Sequence, residues 1–337
     1  MSNPNIAPLA VTMGEPAGIG PDLALQLYTA RHALNLPDFA AYGNLSFLRA
    51  RAQRLGLNIE LRSSDAANAG DVFPHALPVI DIAGDCPDTP GAPSALCASM
   101  VIQSITRAVS DVQSGACRAL ITAPIHKAYL YAAGFDHPGH TEFLAQLCQT
   151  DKQTPHPVMM LAHEGFRVVP LTVHIPLKDV AGAITTSLIA KTARIVASDL
   201  TVKFKIQSPK IAVSGLNPHA GETGMIGLEE RDVIAPAIAL LKAEGLNMIG
   251  PLSADTLFHP PHWQAYDCVI AMYHDQALIP IKTLAFDQGV NVTLGLPIVR
   301  TSPDHGTALT LAGSGQASPK SLLAALLLAD KMSARTP

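Results

Sequence analysis

The sequence predicts an α/β protein of two α/β/α domains with a mostly parallel sheet. Strand-like apolar runs alternate with helix-like segments along the chain, which is the pattern of sheets whose parallel strands are joined by helices. Of the 337 residues, 48% are hydrophobic and 15% are charged. This composition supports a substantial core and excludes disorder over most of the chain. A chain of this length accommodates two domains.

The individual elements follow from apolar runs, caps and turn residues. The predicted strands are Leu9–Thr12, FAAYGN, LPVIDIA, ALITAPI, VMMLA, FRVVPLTVH, KIAVSGL, YDCVIAMY and VNVTLGLP. The predicted helices begin at Asp22, cover Ser46–Leu55, run from a cap at Ser94 to about Gln113, and cover Glu229–Glu244 with a stop at Gly245. Residues 63–93 are rich in Pro, Gly and Asp, and we expect mostly loop there apart from the LPVIDIA strand.

Composition excludes several classes of protein. The net charge is −4 and no block of Lys and Arg stands out, which argues against a nucleic-acid surface. The five cysteines are scattered and form no C-x-x-C pair, so we expect no disulfide framework and a reducing cytoplasm. The N-terminus lacks the features of a signal peptide. The longest apolar stretch, Leu322 to Ala329, is too short to span a membrane.

Three histidines follow predicted strands at the point where each gives way to a polar turn. They are His174 in LTVHIPL, His219 in SGLNPHAGE and His274 in VIAMYHDQ. Open α/β sheets bind ligands at the carboxyl ends of their strands, and three imidazoles can hold one divalent metal with coordination positions left open. The alternative is that each is an ordinary turn residue. Ligand softness favours zinc, cobalt or nickel over magnesium.

The first turn, GEPAGIGPD, contains neither the dinucleotide fingerprint nor a P-loop. Its glycines, Gly14, Gly18 and Gly20, are expected to permit a tight strand-to-helix turn. The side chain of Glu15, in this turn, could point into a ligand-binding crevice as a polar positioning residue.

Two further groups of residues suggest an anion site. His140 and Thr141 come just ahead of a helix, where Thr141 is a plausible N-cap and the helix start a natural phosphate site. Lys282, Asn291 and Arg300 lie in or beside apolar runs, and Lys and Arg suit a phosphate. Individually each is more often a surface residue. Together with the histidines they describe a pocket for a small phosphorylated, metal-chelating molecule.

These motifs resemble one enzyme family over nearly the whole chain, from about Thr12 to Gly313. GEPAGIGPD, GHTEF, NPHAGE, ADTLF, AMYHDQ and VNVTLGLPIVRTSPDHGTA are similar to 4-hydroxythreonine-4-phosphate dehydrogenases of pyridoxal phosphate biosynthesis. The resemblance implies NAD-dependent oxidation of 4-phosphooxy-L-threonine to 2-amino-3-oxo-4-phosphooxybutanoate, which decarboxylates to 3-amino-2-oxopropyl phosphate. It also implies a homodimer with active sites at the subunit interface, and a fold like that of isocitrate and isopropylmalate dehydrogenases.

The resemblance also assigns roles to residues and domains. The metal ligands (for Zn, Co or Mg) would be His174, His219 and His274; the substrate contacts His140, Thr141, Lys282, Asn291 and Arg300; and the NAD or NADP contacts His305, Gly306 and Gly313. Asp255 and Lys282 would be catalytic, although Asp255 and Asp275 equally suit helix caps or turn acids. Residues 1–135 with 300–337 would form the NAD-binding domain, and residues 136–299 the domain with the metal ligands and dimer contacts.

Three other functions remain open. The first is a dehydrogenase of another four-carbon acid 4-phosphate, such as erythronate or threonate phosphate. The second is a three-histidine metallohydrolase or aldolase without nicotinamide, and the third is a non-catalytic phosphate-binding module. The segment DHGTALTLAGSG, which resembles an adenosine-binding loop, argues against the second.

Overall fold

The computed structural model describes residues 6–132, 134–137, 139–151 and 154–334. The chain forms two compact units: the first combines Met1–Pro157 with Leu296–Pro337, and the second is Val158–Gly295. The expectation that the N-terminal segment is not a signal peptide falls partly on residues 1–5, which lie outside the described residues.

The strands over the described residues are β1 (Leu9–Thr12), β2 (Phe39–Gly43), β3 (Leu61–Ser63), β4 (Leu77–Asp81), β5 (Leu120–Thr122), β6 (Val158–His163), β7 (Phe166–Pro170), β8 (Ile211–Ser214), β9 (Met248–Leu252), β10 (Cys268–Ala271), β11 (Val290–Leu294) and β12 (Arg300–Pro303). The α-helices are α1 (Gly20–Thr29), α2 (Leu45–Arg54), α3 (Ala69–Val72), α4 (Ala98–Gln113), α5 (Lys127–Ala132), α6 (His140–Leu147), α7 (Leu177–Ala183), α8 (Thr186–Val202), α9 (Ala235–Ala243), α10 (Ala254–Leu257), α11 (Pro260–Trp263), α12 (His274–Ala285) and α13 (Lys320–Ser333).

The first unit contains a parallel sheet in the order β3-β4-β2-β1-β5-β12. Each neighbouring pair is parallel, from Leu61 beside Leu77 at one end to Arg300 beside Leu120 at the other. Helix α4 packs on β1 and β2, and α13 packs on β12 and β5. Strands β1 and β2 are buried along their whole length, as expected for parallel strands covered by helices. The predicted α/β class with a mostly parallel sheet is confirmed.

The second unit has a mixed sheet in the order β11-β6-β7-β10-β8-β9. Strands β7, β10, β8 and β9 are parallel neighbours, whereas β6 runs antiparallel to both β7 and β11. Strand β6 ends at His163 and β7 begins at Phe166, opposite it. A two-residue connection can only join antiparallel strands, because a parallel crossover needs a dozen or more residues. The antiparallel pairing of β6 with β7 therefore follows from this short hairpin.

A hydrophobic core in the second unit fixes α10, α11 and α12 against the sheet. Its centre is the fully buried Trp263, whose ring packs edge-on against Phe166 and Phe258. The other buried members come from strands and helices alike: Leu161, Val168, Ala212, Leu257, Val269, Ala271, Ala277, Leu278 and Ile281. Because α12 contributes three of them, its first turn is held rigidly at the end of β10.

Most predicted elements are confirmed, and the differences are local. Ser94 accepts a hydrogen bond from the Leu96 amide, but the first turn there is a 3-10 turn, and α4 follows to Gln113. The predicted helix Glu229–Glu244 begins with a π-helical turn, Glu230–Ile234, before α9. The expected loop over residues 63–93 also contains the short helix α3, which is too short for a clear apolar period.

The boundary between the units differs from the predicted one. The sequence placed it at residues 135 and 299, whereas the compact units divide at residues 157 and 295. Helix α6 packs against α4, so the residues around it belong with the first unit. Contacts between segments distant in sequence decide such a boundary.

Among the described residues, no single helix is long and apolar enough to cross a membrane; the bent pair Leu177–Ala183 and Thr186–Val202 meets those criteria only when taken together.

Candidate active site

The three predicted metal ligands lie at one edge of the sheet in the second unit. Strands β7, β10 and β8 are parallel neighbours in that order. His174 follows β7, His274 follows β10, and His219 follows β8. Since the carboxyl ends of parallel strands share an edge, tertiary structure gathers three segments that are far apart in sequence.

Two of these imidazoles are close to each other. The ring centroids of His174 and His274 are 5.8 Å apart. His274 Nδ1 is 2.7 Å from a carboxylate oxygen of Asp275, and a carboxylate on one ring nitrogen is the usual partner of a metal-binding histidine. This contact occupies Nδ1 and leaves Nε2 of His274 for a metal.

His219 lies in a left-handed backbone turn within Pro218–Gly224. From His219 (φ 53°) to Thr223 (φ 55°), every residue has positive φ. A residue with a Cβ adopts this conformation at a cost of roughly 1–2 kcal/mol, and such strain persists only where surrounding groups hold it. The exposed His219 side chain is thus presented by a backbone of unusual shape.

Asp255 lies near His219. It is in the first turn of α10, where the Ser253 hydroxyl donates a 2.7 Å hydrogen bond to it. This hydrogen bond is the main reason why the pKa of Asp255 is lowered, and the nearby His219 imidazole contributes to a smaller extent. The carboxyl group is therefore ionised at neutral pH.

The three imidazoles are chemically suited to bind a divalent metal, and the structure brings two of them close together. The imidazole pair, with a carboxylate behind one ring, is the arrangement that zinc or cobalt sites use. In the described ranges, no three His, Cys, Asp or Glu side chains of the chain are gathered closely enough to hold an ion. The structure brings His174 and His274 together, and the three-histidine set stays a prediction.

In the first unit, a buried, positively charged arginine lies near a partly buried histidine. Arg300 is 4% exposed, and its Nε and Nη2 donate hydrogen bonds to the Thr122 hydroxyl at 3.1 and 2.7 Å. Burial lowers the pKa of Arg300 to about 10, so it keeps its charge at neutral pH. Burial, together with the charges of Arg300 and Lys127, lowers the pKa of His140 well below 6.5.

The His140 ring also has an unsatisfied polar atom. Its Nε2 is buried and has no hydrogen-bond partner, which leaves a donor or acceptor for a ligand. Such an atom beside a buried guanidinium fits a phosphate or carboxylate oxygen.

The predicted N-cap role of Thr141 is wrong. Helix α6 begins at His140, and Gly139 is the N-cap, in an extended conformation without a side-chain cap. Thr141 therefore lies inside the first turn. A Cβ at position 139 would lie 2.7 Å from a Glu142 carboxylate oxygen and 3.3 Å from Lys127 Nζ, so crowding around this position favours glycine.

The predicted NAD contacts lie in a loop that packs on the first turn of the chain. The Ile19 amide donates to the Thr307 carbonyl, and the Gly313 amide donates to the Asp22 carboxylate at 2.7 Å. Gly313 has φ +70°, and a Cβ there would lie 2.6 Å from Pro90. At Gly306, by contrast, nothing lies within 4 Å of a Cβ, which leaves room for a ligand.

Comparison with known proteins decides the family. The family model for pyridoxal phosphate biosynthetic protein PdxA matches residues 36–329. The chain belongs to the PdxA family. A 4-hydroxythreonine-4-phosphate dehydrogenase of Bradyrhizobium diazoefficiens is 50% identical, with 99% of both chains covered. One of Methylorubrum populi is 51% identical, over 97% of this chain and 95% of that one.

Solved structures give the same result. The enzyme of this name from Klebsiella pneumoniae is 36% identical, with a TM-score of 0.85 over 97% of this chain and 100% of that one. A terephthalate 1,2-cis-dihydrodiol dehydrogenase from Burkholderia xenovorans is 26% identical, with a TM-score of 0.66 over 97% of this chain and 98% of that one. The predicted family is confirmed, and the chain is an oxidoreductase.

Two predicted substrate contacts of this PdxA family member, Lys282 and Asn291, lie in a helix and a strand of the second unit. Lys282 is in the last turn of α12, roughly 12 Å along the helix axis from His274 at 1.5 Å per residue. Asn291 is in β11, opposite Leu161 of β6. Their predicted roles stay predictions.

Sequence reasoning missed Gln276, a partly buried side chain that links two of the histidine segments. Gln276 accepts hydrogen bonds from the Met272 amide (2.7 Å) and the Ser214 hydroxyl (2.9 Å), and it donates to the Gly215 carbonyl (2.9 Å). It thereby links the segment of His274 to that of His219. In the sequence, the only indication of this role is that Gln276 follows His274 by two residues. Lys127, in the PIHK segment, is a second residue that sequence reasoning did not single out; its charge contributes to the lowered pKa of His140.

Proposed function

We propose that the chain catalyses the NAD-dependent, divalent-metal-dependent oxidation of 4-phosphooxy-L-threonine to 2-amino-3-oxo-4-phosphooxybutanoate, which decarboxylates to 3-amino-2-oxopropyl phosphate. The observation that carries this proposal is the approach of His174 to His274 at the carboxyl ends of β7 and β10. The names of the relatives support the substrate.

In this proposal His174, His219 and His274 hold the metal ion. When bound, such an ion lowers the pKa of a substrate hydroxyl and stabilises negative charge after decarboxylation. The chain contributes the orientation of its ligands: Asp275 fixes the ring of His274, and the left-handed turn directs His219. The ionised Asp255, near His219, would accept a proton.

Arg300 and His140 would bind an anionic group of the substrate. The buried guanidinium keeps its positive charge (pKa about 10), and burial strengthens its attraction for a phosphate. His140 stays neutral at pH 7, since its pKa is lowered, and offers Nε2 for a hydrogen bond. Binding energy from a remote phosphate positions the reacting carbon. Thr141, Lys282 and Asn291 would supply the remaining substrate contacts.

The NAD site would use His305, Gly306 and Gly313. Their loop is supported by hydrogen bonds to Asp22 and to the first turn of the chain. A cytoplasmic homodimer with active sites at the subunit interface belongs to the same proposal. Only its dimer part draws support from the structure, from large apolar side chains exposed in the second unit: Leu177 is 71% exposed, Met225 83% and Phe286 80%. Such side chains are typical of a covered surface.

The test is an assay of NADH formation with the purified enzyme, with each metal added after chelation. We expect turnover of 4-phosphooxy-L-threonine that chelation abolishes and that Zn²⁺, Co²⁺ or Mg²⁺ restores. Turnover of erythronate or threonate 4-phosphate alone would assign the enzyme to the alternative substrate class. Product formation without any NADH would contradict the dehydrogenase mechanism.

A further inference from the structure

Glu230 lies behind the left-handed turn that carries His219. Its side chain is buried, with the residue 5% exposed. One carboxylate oxygen, Oε1, accepts hydrogen bonds from the backbone amides of Leu216 (2.8 Å) and Asn217 (2.7 Å). The other, Oε2, accepts one from the Asn217 side-chain amide at 3.0 Å. A single carboxylate thus holds the two residues that lead from β8 into the turn.

The turn is also packed tightly against this carboxylate. A Cβ at Gly221, inside the turn, would lie 2.5 Å from Glu230 Oε2. A Cβ at Gly215, directly after β8, would lie 3.1 Å from Oε1 and 2.8 Å from the Cα of Ala220. The backbone approaches Glu230 from both sides, so the carboxylate fixes the turn by contact as well as by hydrogen bonds.

We propose that Glu230 is a positioning residue that holds His219 ready to bind the metal ion. The inference rests on the proposed function, in which His219 is a ligand. Hydrogen bonds from amides to an ionised carboxylate are shorter and stronger than those between neutral groups. A left-handed turn of residues with side chains persists only where its surroundings determine it. Without Glu230, the turn relaxes and the imidazole of His219 loses its fixed direction.

The test compares the full-length enzyme with Glu230→Ala and with a control, Asp232→Ala. Asp232 lies in the same π-helical turn and carries the same charge, but it is exposed and pairs only with its neighbour Arg231 among the contacts described for it. Co²⁺ is the probe: its affinity is measured by competition with a chelator, and its coordination by visible absorption. Unfolding of the metal-free proteins is recorded in parallel.

We expect Glu230→Ala to bind Co²⁺ about 10- to 100-fold more weakly, the usual effect of removing a group that orients a ligand. Its Co²⁺ spectrum should change, and the KM for NAD should stay within experimental error. Asp232→Ala should match the wild type in all three measurements. Glu230→Gln keeps a carbonyl oxygen for the Leu216 and Asn217 amides but loses the charge and the acceptor for the Asn217 side chain, and should recover part of the lost affinity.

Wild-type Co²⁺ affinity and spectrum in Glu230→Ala would overturn the inference. If that variant does not fold, Glu230→Asp takes its place: it keeps the charge but withdraws the carboxylate by one methylene, and the same expectation applies. His219→Ala separates the two proposals. If only His219→Ala weakens Co²⁺ binding, Glu230 is not a positioning residue, and the metal site stands; if His219→Ala binds Co²⁺ like the wild type, both fall.

Discussion

The histidine-bearing edge of the second unit and the Arg300 region of the first unit differ in how deeply their candidate binding residues are buried. His174 and His219 are exposed. The His219 segment is held by the buried Glu230, and the partly buried Gln276 links it to the His274 segment. Arg300 is itself buried, and burial shifts the pKa values of Arg300 and His140. A metal ligand needs a fixed direction and open space, whereas an anion-binding group gains from a low dielectric. In the proposed function, the histidine-bearing edge relies on its supporting residues, whereas the Arg300 region relies on the burial of its binding residues.

The largest expected effect comes from removing a histidine. His219→Ala should lower kcat/KM by about 1,000-fold, since loss of a metal's charge stabilisation is worth several kcal/mol. The fold should persist, because the side chain is exposed. NADH formation, metal content and thermal unfolding are the measurements, with the exposed His75 as the control (His75→Ala). Full activity of the wild-type enzyme after complete chelation would contradict the metal role. Full activity of His219→Ala would contradict the role of His219 as a ligand.

Arg300→Ala should raise the KM for the phosphorylated substrate by about 100-fold, the value of roughly 3 kcal/mol for a hydrogen bond to a charged group. The kcat should change much less. Steady-state kinetics with and without the substrate phosphate test this directly, and Arg62→Ala, which removes a surface ion pair with Glu60, serves as the control. An equal loss for both substrates would show that Arg300 does not bind the phosphate.

Gly313→Ala should raise the KM for NAD by about tenfold, because a Cβ at φ +70° is strained and would contact Pro90. The KM for the phosphorylated substrate should be unchanged. Gly115→Ala is a matched control, since Gly115 has φ +81° with nothing within 4 Å of a Cβ. Equal changes in the two variants would point to general strain and against an NAD loop.

The smallest effect is the pH dependence of stability due to His140. Its folded-state pKa lies well below 6.5, so below pH 6.5 the unfolded chain binds a proton that the folded chain does not. The free energy of unfolding should therefore fall as the pH drops below 6.5 and level off above it. In His140→Gln this slope should shrink by up to about 1.4 kcal/mol per pH unit. Urea unfolding from pH 5 to 8 measures it, and identical slopes would show that His140 is not buried in its neutral form.

The sequence by itself determined the α/β class, most strands and the family. These depend on local signals: a short apolar run rich in β-branched residues, such as that of β10, favours a buried strand, and NPHAGE and YHDQ are contiguous motifs. The positions of the three histidines after strands were visible for the same reason, because strand ends and turn residues are neighbours in sequence.

Only the tertiary structure decided which of these segments meet. The order β7-β10-β8 brings His174 beside His274, and the sheet of the first unit places Arg300 beside Thr122. The left-handed turn held by Glu230 carries no local signal, because its support is a carboxylate from the next helical segment. The contact of Arg300 with Thr122 joins residues 178 positions apart, whereas those of Glu230 span 13 and 14 residues. The stability of both depends on burial that exists only after the whole unit has folded.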